Sequence, residues 1–201
     1  MEEIRGFYFI TDAKQSRKGN ISDVKDAVEA GVKVVQYRNK SNLTREMFDE
    51  AKRLKHLVKY AMFIINDRID IALAVDADGV HLGQDDMPYS EARRILKDKI
   101  IGITVHNVEE AVEAERFGAD YLGVSPVFST STKDDAGKPS GPGLIREVKK
   151  RCRIPVVAIG GITLGNAEEV IETGADALCA ISSVVTKDVK EEIKKFQEMF
   201  R

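Results

Sequence analysis

The sequence predicts an α/β protein built as a single (β/α)8 barrel, the TIM-barrel class, and three observations carry this prediction. Short segments rich in Val and Ile alternate with helical patterns along the 201 residues. These segments are apolar on both faces, as expected for parallel strands that are covered on both sides. Several end in charged or glycine-rich residues, and the carboxyl ends of barrel strands all meet at one rim.

Eight strands are predicted, and their number matches the barrel. They lie near residues 6–11, 32–37, 62–66, 78–82, 100–104, 120–124, 155–159 and 176–181. The clearest helix runs from Thr44 to Val58, where apolar residues share one face. Asn107 with Glu110, and Asn166 with Glu169, have the spacing of a helix N-cap and its partner at the third helical position. An open doubly wound sheet is the alternative, and its ligands also bind beyond the strand ends.

Length and composition limit the organisation and the partners. A chain of 201 residues buries one good core, so we predict a single domain over residues 1–201. A net charge of −2 predicts no general attraction to nucleic acid or membrane. Cys152 and Cys179 lack metal-ligand spacing and are interpreted as free buried thiols. No secretory signal is apparent, so a cytoplasmic location is predicted. The composition leaves open whether the chain forms a homo-oligomer.

Two cations follow the second predicted strand. Arg38 and Lys40 are two residues apart, so in an extended segment they share a face with Gln36. Buried cations need anionic partners, and phosphate oxygens would serve. The alternative is an internal salt bridge to Asp67 or Asp86.

Asp67 and Asp86 follow the third and fourth strands. Two carboxylates at one rim can share Mg²⁺, which prefers oxygen ligands and keeps water or substrate phosphate in its shell. Alternatively, Asp67 caps the next helix or pairs with Arg68, and Asp85 competes with Asp86.

The last strands predict a second anion site. Gly160 and Gly161 follow strand seven and Ser182 follows strand eight, where barrels often bind a monophosphate. Residues 129–143 form a long loop rich in hydroxyls, which we interpret as a lid over a substrate. Thr104 ends strand five, and its hydroxyl contacts either a substrate or a backbone carbonyl. His81 and His106 are interpreted as structural.

In this order the motifs resemble those of the thiamine-phosphate synthase family, nearly end to end. The matching segments are 8–12, 35–40, 65–68, 78–88, 127–133, 157–162 and 180–182. The resemblance implies a Mg²⁺-dependent transferase of thiamine biosynthesis. It would join a hydroxymethylpyrimidine diphosphate to a (carboxy)thiazole phosphate, giving thiamine phosphate and pyrophosphate. In the family, departure of the diphosphate leaves a pyrimidine carbocation that the thiazole nitrogen captures.

The resemblance also assigns roles to residues. Catalysis would involve Arg38, Thr104 and Lys133, and Asp67 and Asp86 would bind Mg²⁺. The pyrimidine diphosphate would contact Gln36, Tyr37, Arg38, Asn39, Lys40, Asn66, Thr104 and Lys133. The thiazole phosphate would contact Thr130, Ser131, Thr132, Gly161, Ile181 and Ser182.

The chain departs from the family pattern at three positions. Asn39 stands where the family usually has Glu, Thr104 replaces Ser, and Ser125 replaces Gly. Two alternatives remain open. A thiazole tautomerase-like paralogue typically lacks the metal aspartates and has a histidine near Ser125. A non-catalytic regulator of the same pathway would bind phosphate without needing the aspartate pair.

Overall fold

The chain forms a closed parallel barrel whose strands follow sequence order. The computed structural model describes residues 4–40, 43–130, 132 and 137–200. The strands are β1 (Gly6–Ile10), β2 (Val34–Tyr37), β3 (Met62–Asn66), β4 (Gly79–Leu82), β5 (Ile100–Val105), β6 (Tyr121–Val124), β7 (Val156–Ile159) and β8 (Ala177–Cys179). Strand β1 closes the barrel by pairing with β8, where Gly6 lies opposite Ala177. The predicted (β/α)8 class is confirmed, and the open sheet is excluded.

Helices connect the strands and cover the barrel. They are α1 (Asn20–Glu29), α2 (Thr44–Leu57), α3 (Ile69–Ala74), α4 (Tyr89–Leu96), α5 (Val108–Arg116), α6 (Gly143–Arg151), α7 (Ala167–Ile171), α8 (Ile181–Val185) and α9 (Val189–Glu198). The predicted helix from Thr44 is confirmed as α2, and it buries Met47, Ala51 and Leu54. None of the helices in the described ranges is long and apolar enough to cross a membrane.

The two predicted helix caps have different outcomes. Asn107 caps α5, because its side chain accepts a hydrogen bond from the Glu110 N–H at 2.8 Å. The prediction for Asn166 is confirmed in position, because Asn166 directly precedes α7, but its side chain makes no capping hydrogen bond. Its Oδ1 accepts from the Thr163 N–H at 2.8 Å and its Nδ2 donates to the Gly161 carbonyl at 3.0 Å. The Asn166 side chain therefore folds back on the loop before α7 instead of capping that helix.

Alternation along each strand separates two apolar layers. On β1, Phe7 and Phe9 pack outward under the helices, whereas Tyr8 and Ile10 fill the barrel interior. On β2 the outward position is Tyr37, and its neighbour Gln36 carries a buried side chain from the opposite face. The predicted free, buried thiols are confirmed for Cys152 and Cys179.

A buried carboxylate on α1 is poorly compensated. Asp23 is 1% exposed, and neither of its oxygens has a hydrogen-bond partner among the described residues. Burial raises the pKa of Asp23, and this effect outweighs the nearby Ser16 hydroxyl, which lowers it. The folded state thus holds the Asp23 proton more tightly than the unfolded state. The stability that Asp23 contributes is fully present below its pKa in the unfolded state. It is lost as the pH rises through the raised pKa of the folded state.

Replacing Asp23 with asparagine is therefore expected to stabilise the protein at pH 7, by about 1 kcal/mol. The gain should shrink on acidification, because the wild-type carboxyl is then neutral as well. Denaturant unfolding at several pH values measures the difference. Glu29→Gln is the control, since Glu29 lies on the same helix in a surface ion pair with Lys190. A destabilised Asp23→Asn protein at pH 7 would contradict the account.

Candidate active site

A cavity of about 180 Å³ opens at the carboxyl rim of the barrel. It gathers most of the residues that the sequence singled out, although they come from segments throughout the chain. Those in its wall are Gln36, Arg38, Lys40, Asn66, Asp67, Asp86, Thr104, Thr130, Thr132, Gly161, Ile181 and Ser182. The expected convergence on one mouth is thus observed for these residues.

Arg38 is held in place by the end of β1. Its Nη1 lies 3.2 Å from Asp12 Oδ2, and its backbone N–H donates to Thr11 Oγ1 at 2.9 Å. The partner of Arg38 is therefore Asp12, whereas the internal salt bridge to Asp67 considered from the sequence forms at Lys40. Arg38 Nε is buried with no hydrogen-bond partner among the described residues. The guanidinium keeps donor capacity for an anion in the cavity.

Asp12 itself was not singled out as a site residue. It is 5% exposed, and its Oδ1 accepts hydrogen bonds from the backbone N–H groups of Lys14 and Gln15. The available signal was its position directly after the first strand, at the same rim as Arg38.

Lys40 and Asp67 form an ion pair at the mouth. Lys40 Nζ donates to Asp67 Oδ2 at 3.0 Å. Asp67 has a φ of 61°, a left-handed conformation that Asp tolerates better than most residues. Its N–H donates to the His81 carbonyl at 2.9 Å, which fixes the turn after β3 to the end of β4. The pairing of Asp67 with Arg68 does not form, because Arg68 bonds Asp70 instead.

Asp86 lies next to Asp67. Burial raises the pKa of Asp86, the Gly83 N–H lowers it, and the neighbouring Asp67 carboxylate raises it again. Asp86 Oδ2 accepts from the Gly83 N–H at 2.6 Å. Across the described ranges, no group of three or more His, Cys, Asp or Glu side chains is placed to hold a metal ion. What the rim does present is two adjacent carboxylates, whose repulsion a cation would relieve.

The opposite edge of the mouth is made by backbone and hydroxyl groups. Gly160 and Gly161 follow β7 with φ values of 102° and 64°. A Cβ on Gly161 would lie 2.5 Å from the Ser129 carbonyl oxygen, so only glycine fits against the loop after β6. Ser182 lies in the first turn of α8, a short helix that starts just after β8. This edge carries N–H and O–H donors suited to an anion.

The floor of the cavity contains a histidine that sequence reasoning interpreted as structural. His81 is 4% exposed and lies in the cavity wall, where its Nε2 is 2.9 Å from Thr104 Oγ1. Gln84 Nε2 donates to the Thr104 carbonyl at 2.6 Å. His106 also reaches the wall, and its Nδ1 is 3.1 Å from Glu110 Oε2. The sequence pattern gave no signal that either histidine faces the mouth.

Two predicted site residues, Tyr37 and Asn39, point away from the cavity. Tyr37 Oη donates to Glu50 Oε2 at 2.6 Å, and Asn39 Nδ2 donates to the same oxygen at 3.3 Å. Both side chains project toward α2, because they alternate with the inward-facing residues of the 36–40 segment. Ser131 and Lys133 lie outside the described residues.

The geometry first defines a class of protein. Two donor-rich edges face each other across one barrel mouth, with a pair of carboxylates beside the cations. That arrangement suits a barrel enzyme that brings two phosphorylated molecules together.

Comparison with known proteins identifies the family. The profile of thiamine monophosphate synthase matches residues 7–184, and the chain belongs to this family. It is 57% identical to a thiamine-phosphate synthase from Methanosarcina barkeri, covering 97% of this chain and 90% of that protein. The corresponding enzyme from Chloroflexus aurantiacus is 48% identical, with coverage of 90% and 85%. The structure of thiamine phosphate pyrophosphorylase from Pyrococcus furiosus superposes with a TM-score of 0.92 at 42% identity, covering 99% and 96% of the two chains.

Proposed function

We propose that this protein is a thiamine-phosphate synthase that works at the carboxyl rim of the barrel. It joins 4-amino-2-methyl-5-(diphosphooxymethyl)pyrimidine to a thiazole phosphate and releases pyrophosphate. The observation that carries the proposal is one mouth whose two edges carry cationic and hydroxyl or amide donors, in a chain of this family.

The diphosphate lies along the edge formed by β2 and β3. Arg38 and Lys40 supply the positive charge, and Asn66 supplies an amide beside them. Asp12 holds the guanidinium from behind, so Arg38 is oriented before the substrate arrives. A preoriented cation costs little reorganisation when negative charge develops on the leaving group.

Mg²⁺ fits the carboxylates of Asp67 and Asp86. Mg²⁺ sites commonly use one or two carboxylates and complete the shell with water and substrate phosphates, so a third protein carboxylate is not required. The raised pKa of Asp86, caused by burial and then by Asp67, indicates a position where positive charge is favourable. When bound, the ion would neutralise part of the diphosphate charge and favour its departure.

The thiazole phosphate lies at the opposite edge. Gly161 allows close approach to the backbone, and Ser182, Thr130 and Thr132 line the same side of the cavity. The Thr132 N–H donates to Thr130 Oγ1 at 3.2 Å, which folds this part of the loop onto itself.

The reaction exchanges one bond for another at the pyrimidine methylene. The C–O bond to the diphosphate breaks with its electron pair, and the thiazole nitrogen donates the pair that forms the new C–N bond. Arg38 and Lys40 stabilise the departing anion, and no covalent protein nucleophile is needed. If the thiazole carries a carboxylate, CO2 is lost as well.

Incubation of the protein with both substrates tests the proposal. We expect pyrophosphate and thiamine phosphate in equal amounts, with formation dependent on Mg²⁺. Thiamine phosphate is measured by chromatography and pyrophosphate by a coupled assay. Absence of both products in the presence of Mg²⁺ would overturn the proposed function. Rearrangement of the thiazole substrate alone would favour the tautomerase alternative, which the Ser125 position and the aspartate pair do not support.

Several further assignments stay predictions. They are a role for Lys133 and Ser131, a single domain over residues 1–201, a possible homo-oligomer, a cytoplasmic location, and the absence of nucleic-acid and membrane partners.

A further inference from the structure

A continuous chain of side-chain hydrogen bonds crosses the barrel under the cavity. Gln36 Nε2 donates to Tyr8 Oη at 2.9 Å, and Tyr8 Oη is 2.7 Å from Tyr121 Oη. Tyr121 Oη is 2.9 Å from His81 Nδ1, and His81 Nε2 is 2.9 Å from Thr104 Oγ1. The chain therefore begins and ends on residues of the cavity wall, Gln36 and Thr104. The two tyrosines lie beneath the cavity, inside the barrel.

The barrel interior makes room for this chain at two glycines. A Cβ on Gly102 would overlap the Tyr121 ring, and a Cβ on Gly123 would lie 2.9 Å from His81 Cε1. The rings of Tyr8 and Tyr121 have centroids 5.8 Å apart, and those of His81 and Tyr121 are 5.4 Å apart. Neither glycine has a positive φ, so space rather than backbone conformation requires them. Small residues on β5 and β6 thus accommodate the polar rings.

When the His81 ring is neutral, proton counting gives the chain one consistent direction that starts from the Gln36 amide donor. Tyr8 accepts from Gln36, so its own proton is available for Tyr121, and the Tyr121 proton is then available for His81 Nδ1. A neutral imidazole has one donor and one acceptor, so His81 Nε2–H donates to Thr104 Oγ1. The Thr104 hydroxyl proton is left for the cavity. The amide oxygen of Gln36 is left as an acceptor.

The reverse direction requires every member of the chain to change together. Thr104 would donate to His81, and the protons would run through Tyr121 and Tyr8 to the amide oxygen of Gln36. Thr104 would then offer only an acceptor to the cavity, and Gln36 its NH2 donor. A partial reversal leaves a buried hydroxyl proton without an acceptor, which is unfavourable. The chain therefore couples the hydrogen-bonding character of two cavity residues.

We infer that Tyr8, Tyr121 and His81 are positioning residues that make Gln36 and Thr104 select a 4-aminopyrimidine over its 4-oxo counterpart. This inference rests on the proposed function. An aminopyrimidine offers a ring nitrogen acceptor beside an amino donor, which matches the Thr104 hydroxyl donor and the Gln36 acceptor. The oxo counterpart offers a ring N–H donor beside a carbonyl acceptor. Its N–H can still bond the free lone pair of Thr104 Oγ1, but its carbonyl meets the Gln36 amide oxygen unless the whole chain reverses.

Tyr121→Phe interrupts the chain with little change in shape. Without its hydroxyl, Thr104 and Gln36 orient independently, and the oxo compound is no longer penalised. We expect the dissociation constant ratio of the 4-oxo to the 4-amino pyrimidine diphosphate to fall about tenfold or more. Titration calorimetry without the thiazole phosphate measures both constants. Binding is preferred to turnover because the amino group also affects the chemistry of the ring. Tyr8→Phe disconnects only Gln36, and we expect a smaller fall.

Tyr89→Phe is the matched control, because it removes the same hydroxyl from a tyrosine outside the hydrogen-bond chain. Tyr89 lies on the outer helix α4, where its ring packs on Phe117. Its ratio should equal that of the wild type. If Tyr121→Phe folds and weakens both ligands by the same factor, the inference is overturned and the chain is merely structural. If Tyr121→Phe does not fold, an unchanged ratio in Tyr8→Phe overturns it. A wild-type protein that makes no product from the two substrates would refute the proposed function instead.

Discussion

Asp67→Ala is expected to lower Mg²⁺-dependent turnover at least about 100-fold while leaving the fold intact. The carboxylate contacts Lys40 at 3.0 Å and lies beside Asp86, so its removal deprives the diphosphate edge of one of its two proposed metal ligands. The Mg²⁺ concentration for half-maximal pyrophosphate release should rise. Asp67→Asn should behave similarly, because an amide keeps an oxygen ligand but loses the charge.

The side chain of Asp67 makes little contribution to the core, which is why the fold should survive its loss. Alanine at this position must adopt the φ of 61°, and this costs about 1 kcal/mol. Asp70→Ala is the control. Asp70 lies three residues after Asp67, pairs with Arg68 and does not line the cavity. Undiminished pyrophosphate release by Asp67→Ala, at every Mg²⁺ concentration, would remove the metal assignment.

Gly161→Val is expected to lower kcat/KM for the thiazole phosphate about 100-fold. It should also destabilise the protein by about 2 to 4 kcal/mol. From the sequence, the added side chain is expected to block the phosphate directly. The structure gives a further reason. A Cβ would meet the Ser129 carbonyl at 2.5 Å and Phe128 Cβ at 2.7 Å, and valine would also have to adopt a φ of 64°. The loop that leads to Thr130 and Thr132 must therefore move.

The Michaelis constants of the two substrates separate this effect from general damage. We expect the value for the thiazole phosphate to rise far more than the value for the pyrimidine diphosphate, since the β2 edge is untouched. Gly161→Ala is the milder variant if valine prevents folding. Gly165→Val is the control, because a Cβ there meets only Thr163 Oγ1, at 3.7 Å. Unchanged thiazole phosphate affinity in a folded Gly161 variant would show that the monophosphate binds elsewhere.

The fold was predictable because its signal is local and repeated. Each buried strand is a short apolar segment, and each predicted strand overlaps an observed one. Asn107 was predictable as a cap because the pattern and the helix are adjacent. Asn166 carries the same pattern, yet the Gly161 carbonyl and the Thr163 N–H take its side chain first. Competing partners in the preceding loop decided that case, and spacing alone does not reveal them.

The site was predictable to the extent that strand ends define it. Arg38, Lys40, Asp67 and Asp86 lie where parallel strands release the chain, and the barrel brings them together. Tyr37 and Asn39 were included through motif resemblance. In an extended segment, however, side chains alternate between two faces, and this alternation turns both residues toward α2. Strict alternation would have excluded them.

The hydrogen-bond chain under the cavity was beyond sequence reasoning. Tyr8 and Tyr121 are 113 positions apart, and each lies in a short segment that resembles any other buried strand. Their contact depends on the diameter of the closed barrel and on the space left by Gly102. His81 likewise resembles an ordinary strand residue until β5 places Thr104 opposite its ring.

A crystal structure with thiamine phosphate, pyrophosphate and Mg²⁺ tests the central claim most directly, because it locates both anions at once. We expect the pyrophosphate between Arg38, Lys40 and the aspartate pair, and the monophosphate against Gly161 and Ser182, in the same cavity. Pyrophosphate or monophosphate bound outside that mouth, with catalysis intact, would contradict the account.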